Sequence, residues 1–324
     1  MKICIYGAGA IGAWIGARLG QAGCTVSVVA RGATLAALRQ HGLRCQLEAQ
    51  ELRVPVRASA DPAELGVQDL VVIAVKAPAL PEVARRIAPL LGPATVVLTA
   101  MNGVPWWFFQ GFGGEYEGTA LPAIDAQGEI AAAIPAAQVI GGVVHASCSL
   151  AEPGRARHHF GNRLIIGEPS GQKTERVQQL HELLVHAGFD VELSAQIQQD
   201  IWYKLWGNMT VNPVSALTGA TTDRILDDPL VRDFMSRVMY EAKEIGARIG
   251  IPIAQQPEDR HAVTRKLGAF KTSMLQDVES GRPVELDALV TVVQQLGVLS
   301  GVPTPYTDVL LGLARLQARV RGLY

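Results

Sequence analysis

The sequence carries almost no net charge, and this excludes two classes of partner. Its 324 residues contain 29 Lys and Arg against 30 Asp and Glu, a formal charge of −1. A protein that binds a phosphate polymer or an anionic membrane surface needs an excess of positive charge, which this composition does not supply. We therefore expect neither a nucleic acid nor a membrane as a partner.

Cysteine is scarce and shows no informative spacing. The four cysteines are Cys4, Cys24, Cys45 and Cys148. None stands in a CxxC pair, so the sequence indicates neither a disulfide framework nor a zinc site, and reduced thiols are expected. The neighbouring His158 and His159 have no further ligands at a suitable spacing, so we expect no bound metal.

Long apolar runs are also missing. The longest strongly apolar run, 70–75, is far shorter than the roughly 20 residues that cross a bilayer. Glycines interrupt the apolar stretch at the N-terminus. We find there neither the apolar core of a signal sequence nor a small-residue cleavage site. We therefore expect a cytoplasmic protein.

The remaining composition is that of a globular protein with alternating strands and helices in its first part. Hydrophobic residues make up 48% of the chain and charged residues 18%, and the length favours two domains. Residues 2–6 and 25–29 have the pattern of buried strands on either side of a helix at 10–22, which is a βαβ unit. The apolar runs 70–75 and 95–99 flank a helical pattern at 80–91, as expected of a parallel sheet.

The second part of the chain is predicted to be helical. The strand-like segments 139–147 and 164–167 extend the sheet, and a helix at 174–187 and a strand at 190–193 close the first domain. The helical segments that follow are 197–217, 229–249, 256–267, 273–279, 285–300 and 304–321. The predicted fold is α/β, with a Rossmann-type parallel sheet domain at 1–195 and an all-helical domain at 196–324.

A glycine motif follows the first strand and opens the first helix. The segment Gly7-Ala8-Gly9-Ala10-Ile11-Gly12 matches GxGxxG in the structural context that binding requires. The glycines allow a tight turn and a close approach to pyrophosphate, and the helix N-terminus supplies free N–H groups. Because strand, turn, helix and strand form one unit, we favour dinucleotide binding over a simple packing turn.

The end of the second strand indicates which dinucleotide binds. NAD-binding folds have a carboxylate there for the ribose 2′-OH, whereas this chain has Arg31. Arginine forms charge-assisted hydrogen bonds to a 2′-phosphate. The sequence therefore predicts NADPH as the cofactor, with a surface arginine that binds no ligand as the alternative.

Further polar residues follow the later strands. Lys76 follows the run 70–75, and Asn102 follows the run 95–99, at the sheet edge where open α/β sheets bind ligands. Taken singly, Lys76 is equally interpretable as a solvated lysine, and Asn102 as a turn former before Gly103. Their shared edge favours a ligand site.

A lysine and two asparagines recur at four-residue spacing in the helix at 197–217. Lys204, Asn208 and Asn212 form one stripe among Trp, Leu, Met and Val neighbours. A buried polar group without a partner costs about 1–3 kcal/mol, so the stripe predicts either an interhelical hydrogen-bond network or a substrate site. A lysine in a water-poor cleft has a lowered pKa and can act as an acid or base near neutrality.

A third polar stretch lies at 271–287. Ser273 has the features of a helix N-cap, and Glu285 and Asp287 those of first-turn residues stabilised by the helix dipole. From the residues alone we favour these structural interpretations.

Together these motifs resemble the ketopantoate reductase family over nearly the whole chain. The matching residues are Gly7-x-Gly9-x-x-Gly12, Arg31, Lys76, Met101-Asn102-Gly103, Lys204-x-x-x-Asn208-x-x-x-Asn212-Pro213 and Ser273-Met274-Leu275-Gln276-Asp277 with Glu285. The resemblance implies a Rossmann domain joined to a helical domain, with the active site in the cleft between them.

The resemblance also implies a role for each residue in NADPH-dependent reduction of a 2-oxo acid, with ketopantoate as the expected substrate and (R)-pantoate as the product. Lys204 would protonate the developing alkoxide, while Glu285 and Lys76 would hold the cofactor side. Asn102 would bridge cofactor and substrate. Asn208 and Asn212 would orient substrate hydroxyl and carbonyl groups, and Ser273 would bind the carboxylate.

Two positions depart from the pattern that the resemblance implies. Thr221-Thr222 and Phe270-Lys271 stand where family members that act on ketopantoate carry asparagines. A reductase of another branched 2-oxo acid is therefore the alternative within the enzyme class, and an NADPH-binding regulator without turnover is the alternative outside it. The intact proton-donor set argues against a regulator.

The aromatic segment 106–109 leaves the oligomeric state open. It could be an exposed contact of a homodimer, but packing of a loop against its own domain is the more ordinary explanation.

Overall fold

The computed structural model describes residues 1–324, which divide into two compact units. The sheet unit comprises Met1–Met101, Trp106–Ala120 and Gln127–Ile197. The helical unit comprises Asn102–Pro105, Leu121–Ala126 and Gln198–Tyr324. The short segment that contains Asn102 therefore belongs to the helical unit.

Ten strands form one mixed sheet in the sheet unit. They are β1 (Lys2–Tyr6), β2 (Thr25–Val29), β3 (Leu43–Gln46), β4 (Glu51–Val54), β5 (Arg57–Ser59), β6 (Leu70–Ile73), β7 (Val96–Thr99), β8 (Val139–Glu152), β9 (Arg155–Gly167) and β10 (Asp190–Leu193).

The sheet order is β4-β3-β9-β8-β7-β6-β1-β2-β5, and β10 pairs with β9. The pairs of β1 with β2 and β6, and of β7 with β6 and β8, are parallel, as the apolar runs predict. The rest of the sheet is mixed, because β3 with β4 and β8 with β9 pair antiparallel. The short connections at 47–50 and 153–154 allow these hairpins, whereas parallel neighbours need a crossover.

The sequence pattern underestimated the hairpin strands for a physical reason. Their inner halves are apolar and buried, but the outer half of β9, for example His158 and His159, is polar and more exposed. Such a segment lacks the continuous apolar run of a strand that is covered on both faces.

Five helices belong to the sheet unit: α1 (Ala10–Gln21), α2 (Gly32–His41), α3 (Leu80–Arg86), α4 (Glu129–Ala133) and α5 (Glu175–His186). The core lies between the sheet and α1, whose Trp14 and Ile15 are fully buried with Ile3 and Ile5 of β1. The helix predicted at 80–91 ends at Arg86, and a short 3-10 turn follows at Ala88–Leu90. Pro89 accounts for the early end, because it has no N–H to donate to the carbonyl of Arg85, four residues earlier.

The helical unit is built from α6 (Ile197–Thr218), α7 (Thr222–Asp227), α8 (Pro229–Arg248), α9 (Pro257–Arg265), α10 (Ser273–Glu279), α11 (Val292–Ser300) and α12 (Pro305–Val320). α6 begins at the last residue of the sheet unit. Two buried tryptophans join α6 to α8: Trp202 donates its indole N–H to Ala242 O at 3.3 Å, and Trp206 to Met239 O at 2.7 Å. These bonds hold the helix that carries the candidate lysine.

The helix predicted at 285–300 begins with a π turn. Asp287–Thr291 is wound as a π helix before the chain continues as α11. Such wider turns often occur at functional sites. Here the turn places Ala288 against the segment that contains Asn102.

None of the helices combines the length and the apolar character that crossing a bilayer requires. The aromatic residues at 106–109 are all buried, which confirms that this segment packs inside its own unit.

Candidate active site

The glycine turn at the end of β1 has the tight geometry that a phosphate-binding turn needs. Gly7 has φ +100°, and a Cβ atom there would lie 2.6 Å from Val75 Cγ1. A Cβ atom on Gly12 would lie 2.1 Å from the Gly7 carbonyl oxygen. Any side chain at either position would therefore open the turn.

The N-terminus of α1 is open to an anion. Gly9 is the N-cap and supplies no side-chain hydrogen bond, and the first turn contains no acidic residue. The first amides of the helix are thus free to donate to a phosphate, assisted by the helix dipole. The turn therefore fits the pyrophosphate of a dinucleotide.

A cavity of about 200 Å³ adjoins this turn and is lined by Gly7, Ala8, Arg31, Thr34, Glu82 and Arg86 among others. Arg31 is exposed at the N-terminus of α2, directly after β2. Its Nη1 lies 2.5 Å from Glu82 Oε1, and Arg86 Nη1 lies 3.7 Å from the same oxygen. Two guanidinium groups thus share one carboxylate at the cavity, which suits the recognition of a further anion.

Lys76 follows β6, which ends at Ile73, two residues earlier than expected, and Lys76 is partly buried. It occupies the N-cap position of a short 3-10 turn at Ala77–Ala79. Its backbone is extended there, and its side chain does not cap the turn.

In the helical unit, Lys204 is held by Asn102. The Lys204 Nζ donates a hydrogen bond to Asn102 Oδ1 at 2.8 Å. Gly103 fixes the loop: its φ is +83°, and a Cβ there would lie 2.4 Å from Ala288 O. The Val104 N–H donates to the same carbonyl at 3.0 Å. Asn102 is thus a positioned ligand of the lysine and more than a turn former.

The surroundings of Lys204 change its acidity. Burial lowers the pKa of the Lys204 ammonium from 10.5 to about 8; the Glu285 carboxylate opposes this shift, and the Arg260 guanidinium adds to it. The residue as a whole is nevertheless partly exposed. An amine with a pKa near 8 can give and regain a proton at physiological pH.

Asn208 and Asn212 continue the stripe on α6. Asn212 is 5% exposed and Asn208 is partly exposed. Neither side-chain amide forms a hydrogen bond within the protein, in contrast to Lys204. An interhelical network therefore does not account for these two amides, which leaves them available to a ligand.

Glu285 and Ser273 lie in different environments. Glu285 is 6% exposed and directly precedes the helical segment that contains the π turn, and its carbonyl oxygen accepts from the Leu289 N–H at 3.2 Å, so it lies at the start of this helix and is buried there. Ser273 is exposed at the first residue of α10. The N-cap expectation for Ser273 was wrong, because Thr272 is the cap and accepts from the Leu275 N–H at 3.2 Å.

The two departures from the expected asparagines are in direct contact. The Thr222 N–H donates to Phe270 O at 3.0 Å, and the Thr222 hydroxyl donates to Gly268 O at 2.6 Å. Thr222 is 1% exposed. The Thr222 side chain therefore binds the backbone of the segment that carries Phe270.

Sequence reasoning missed Arg260, which also acts on Lys204. It lies on α9 in no motif, and its contact with α6 joins residues more than fifty positions apart. The one local signal is Gly207, a glycine inside a helix, which often marks a close packing contact.

The chain is similar to known proteins over its whole length. The family model described as "Ketopantoate reductase PanE/ApbA" matches residues 3–171, and its C-terminal counterpart matches residues 196–318. A 2-dehydropantoate 2-reductase of Mesorhizobium japonicum is 47% identical over 325 residues and covers 100% of both chains.

Two solved structures show the same fold. A Ralstonia solanacearum protein described as a ketopantoate reductase is 57% identical, with a TM-score of 0.95 and coverage of 99% of each chain. A D-mandelate dehydrogenase bound to NADH and anilino(oxo)acetate is 21% identical over 100% of each chain, with a TM-score of 0.85, and shows the fold alone. The chain therefore belongs to the ketopantoate reductase family and is an NAD(P)-dependent oxidoreductase.

Proposed function

We propose that the protein reduces ketopantoate (2-dehydropantoate) to (R)-pantoate with NADPH. The observation that carries the proposal is the Lys204 ammonium, which is hydrogen-bonded to Asn102 and has a pKa of about 8. The 47% identical relative that bears the name 2-dehydropantoate 2-reductase supports this choice of substrate. In this proposal residues 1–195 bind the nucleotide, and residues 196–324 supply the substrate and proton-donor side.

The chain's own residues supply the proton. The nicotinamide, when bound, supplies the hydride that adds to C2 of the substrate. As the C2–O double bond becomes a single bond, the oxygen takes a proton from Lys204 Nζ, which is left neutral and regains a proton from solvent. Before the transfer, the ammonium stabilises the developing negative charge, an effect that is strongest where water is excluded.

The neighbours of Lys204 position it. The Glu285 charge favours the ammonium form, which is the form that donates, and the Asn102 carbonyl accepts one of its N–H groups. In the proposal Asn102 and Glu285 also contact the cofactor. Asn208 and Asn212, whose amides have no partner within the protein, bind substrate oxygens, and Ser273 contributes a hydroxyl at the carboxylate.

NADPH is proposed in preference to NADH because of Arg31. Arg31 and Arg86 both line the cavity beside the glycine turn, and Lys76 follows β6. A charge-assisted hydrogen bond contributes about 1.5–3 kcal/mol, so we expect Arg31→Ala to lower the preference for NADPH over NADH by about tenfold or more. An unchanged ratio of the two kcat/KM values would disprove the assignment.

A reductase of a different branched 2-oxo acid is the second candidate. The departures at Thr222 and Phe270 favour it, because a threonine and a phenylalanine stand where the resemblance leads us to expect asparagines. A regulator without turnover is not favoured, since cofactor binding alone requires no lysine with a lowered pKa.

Steady-state oxidation of NADPH, with ketopantoate beside a panel of other branched 2-oxo acids, tests the proposal. A kcat/KM for ketopantoate well above all others supports it. Equal or better turnover of another acid moves the assignment to the second candidate, and the absence of turnover with every acid contradicts both.

We also propose that the protein forms a homodimer in which a second copy covers one face of α12. The exposed apolar side chains Val309, Leu313, Leu316 and Val320 lie along one face of this helix, each 54–79% exposed. Sedimentation of the wild type and of Leu316→Glu tests it: the wild type should be a dimer and the variant a monomer.

The four free thiols support our inference of a reducing, cytoplasmic location.

A further inference from the structure

Arg260 is an arginine without a carboxylate partner in the helical unit. It lies on α9, and its guanidinium packs against Gly207 of α6: a Cβ on Gly207 would lie 2.6 Å from Nε and 2.9 Å from Cζ. On one side it stacks on Tyr203, with Cζ 5.6 Å from the ring centroid. The absent side chain at Gly207 thus creates the space that the guanidinium occupies.

The charge of Arg260 is not neutralised by the protein. Arg265 on the same helix pairs with Asp227 at 2.5 Å, but no such carboxylate pairs with Arg260. The Arg260 Nε is enclosed and has no hydrogen-bond partner. Burial lowers the pKa of the Arg260 guanidinium, with Tyr203 opposing the shift. An unpaired, partly dehydrated cation is costly and is typical of a site that binds an anion.

Arg260 belongs to the same environment as the proton donor. The positive charge of Arg260 lowers the pKa of Lys204. Lys204 lies three residues before Gly207 and therefore on the same side of α6. Lys204 and Arg260 are thus two cations in the same surroundings, and the Glu285 carboxylate raises the pKa of Lys204. This leaves a local excess of positive charge.

We propose that Arg260 binds the carboxylate of the 2-oxo acid and so positions its C2 carbonyl for Lys204. The inference rests on the proposed function. In a 2-oxo acid the carboxylate is bonded directly to C2, so a group that holds the carboxylate must lie beside the group that protonates the C2 oxygen. A planar guanidinium can hold both carboxylate oxygens in parallel hydrogen bonds, which neither the Ser273 hydroxyl nor an asparagine amide can do.

The test compares four variants of the full chain with ketopantoate and NADPH as the probes. Arg260→Gln removes the charge, Arg260→Lys keeps it, Gly207→Ala displaces the guanidinium while leaving it in the sequence, and Arg265→Gln is the matched control on the same helix. For each, KM and kcat are measured for the acid, the Kd of NADPH by fluorescence, and Tm by thermal unfolding.

We expect Arg260→Gln to raise the KM for ketopantoate about 10- to 100-fold, because the lost partner is a charged, partly dehydrated one. The Kd of NADPH should stay at the wild-type value. Gly207→Ala should raise the KM in the same direction, Arg260→Lys should raise it less than Arg260→Gln, and Arg265→Gln should leave it unchanged.

A KM for Arg260→Gln that stays near the wild-type value, or a loss of kcat at constant KM, would overturn the inference. If Arg260→Gln does not fold, Arg260→Lys and Gly207→Ala decide it by the same criterion. Failure of the proposed function is a separate outcome, because it is seen with the wild type: where another 2-oxo acid is the better substrate, the same variants are measured with that acid.

Discussion

The glycine turn of the sheet unit and the lysine site of the helical unit are built in opposite ways. The turn consists of one continuous segment, 7–12, in which Gly7 and Gly12 are required by close contacts within the turn or with the residues that follow β6. The lysine site consists of four segments that are far apart in the chain: Asn102 accepts from Lys204, and Glu285 and Arg260 act on the same amine.

This difference determines how each site responds to substitution. A local turn is sensitive to sterics, because the backbone itself forms the binding surface. A site assembled from distant segments is sensitive to charge, because the lowered pKa of Lys204 depends on the charges of groups in several segments. Four substitutions or conditions distinguish the two kinds of site.

The largest effect is expected for Lys204→Met. General acid catalysis and oxyanion stabilisation are each worth about a hundredfold or more, so we expect kcat/KM for the 2-oxo acid to fall by about 10³-fold or more. The Kd of NADPH, measured by fluorescence, should not change. Lys266→Met, at an exposed position of the same unit, is the control, and wild-type turnover by the Lys204 variant would exclude it as the proton donor.

A steric change should disable the glycine turn. In Gly12→Ala the new Cβ would meet the Gly7 carbonyl oxygen at 2.1 Å, so we expect a loss of about 1–3 kcal/mol in stability and a weaker affinity for NADPH.

The same substitution at Gly312, inside α12 with no atom within 4 Å of its Cβ, serves as the matched control. It should stabilise the protein by about 0.5–1 kcal/mol, because alanine is the better helix former. Equal Tm values for the two variants would show that the turn is not sterically constrained.

The pH dependence reports the assembled site. In the proposed mechanism reduction needs the protonated amine, so kcat/KM should fall about tenfold per unit as the pH rises above about 8. The contribution of Lys204 to stability has the opposite sign. Its folded-state pKa lies below the unfolded value, so the unfolded chain binds more protons between about pH 8 and 10.5, and the free energy of unfolding rises with pH there.

The measurement is a pH profile of kcat/KM in the wild type and in Arg260→Lys, which keeps the positive charge at position 260. It checks whether kcat/KM falls above about pH 8. A flat profile up to pH 10 would mean that the amine does not titrate in this range. Asn102, Glu285 and Arg260 all act on Lys204.

The smallest effect is expected for Glu82→Gln in the nucleotide cavity. Glu82 holds Arg31 at 2.5 Å and is close to Arg86, so it competes with a 2′-phosphate for both. Exposed ion pairs contribute up to about 1 kcal/mol, so we expect NADPH to bind up to about fivefold more tightly, with no change for NADH. Glu129→Gln, which removes the exposed partner of Arg85, should change neither Kd.

The elements that the sequence predicted well are those with a strong local pattern. The strands β1, β2 and β10 and the helix α10 have the bounds that were expected, because apolar periodicity and turn residues mark both ends of each. The hairpin β3–β4 and the helix α7 were missed. β3 and β4 alternate in burial at the margin of the sheet and are four residues each, so they carry little apolar signal.

The same division holds for the candidate site. Lys204, Asn208 and Asn212 stand out because helical spacing is readable from the chain itself. Arg260 does not, since its significance comes from the space left by Gly207 and from the absence of a carboxylate around it, both of which are properties of packing.

The sequence by itself determined the βαβ turn, the arginine after β2 and the polar stripe of α6, because each depends on interactions within one strand, turn or helix. The tertiary structure alone decided that Asn102 is the acceptor for Lys204, that Glu285 is buried, that Thr222 is bonded to the Phe270 segment, and that Arg260 has no counter-charge. Electrostatic environment is set by groups that are distant in sequence, and the pKa of a lysine follows from which of them packing brings within a few ångströms.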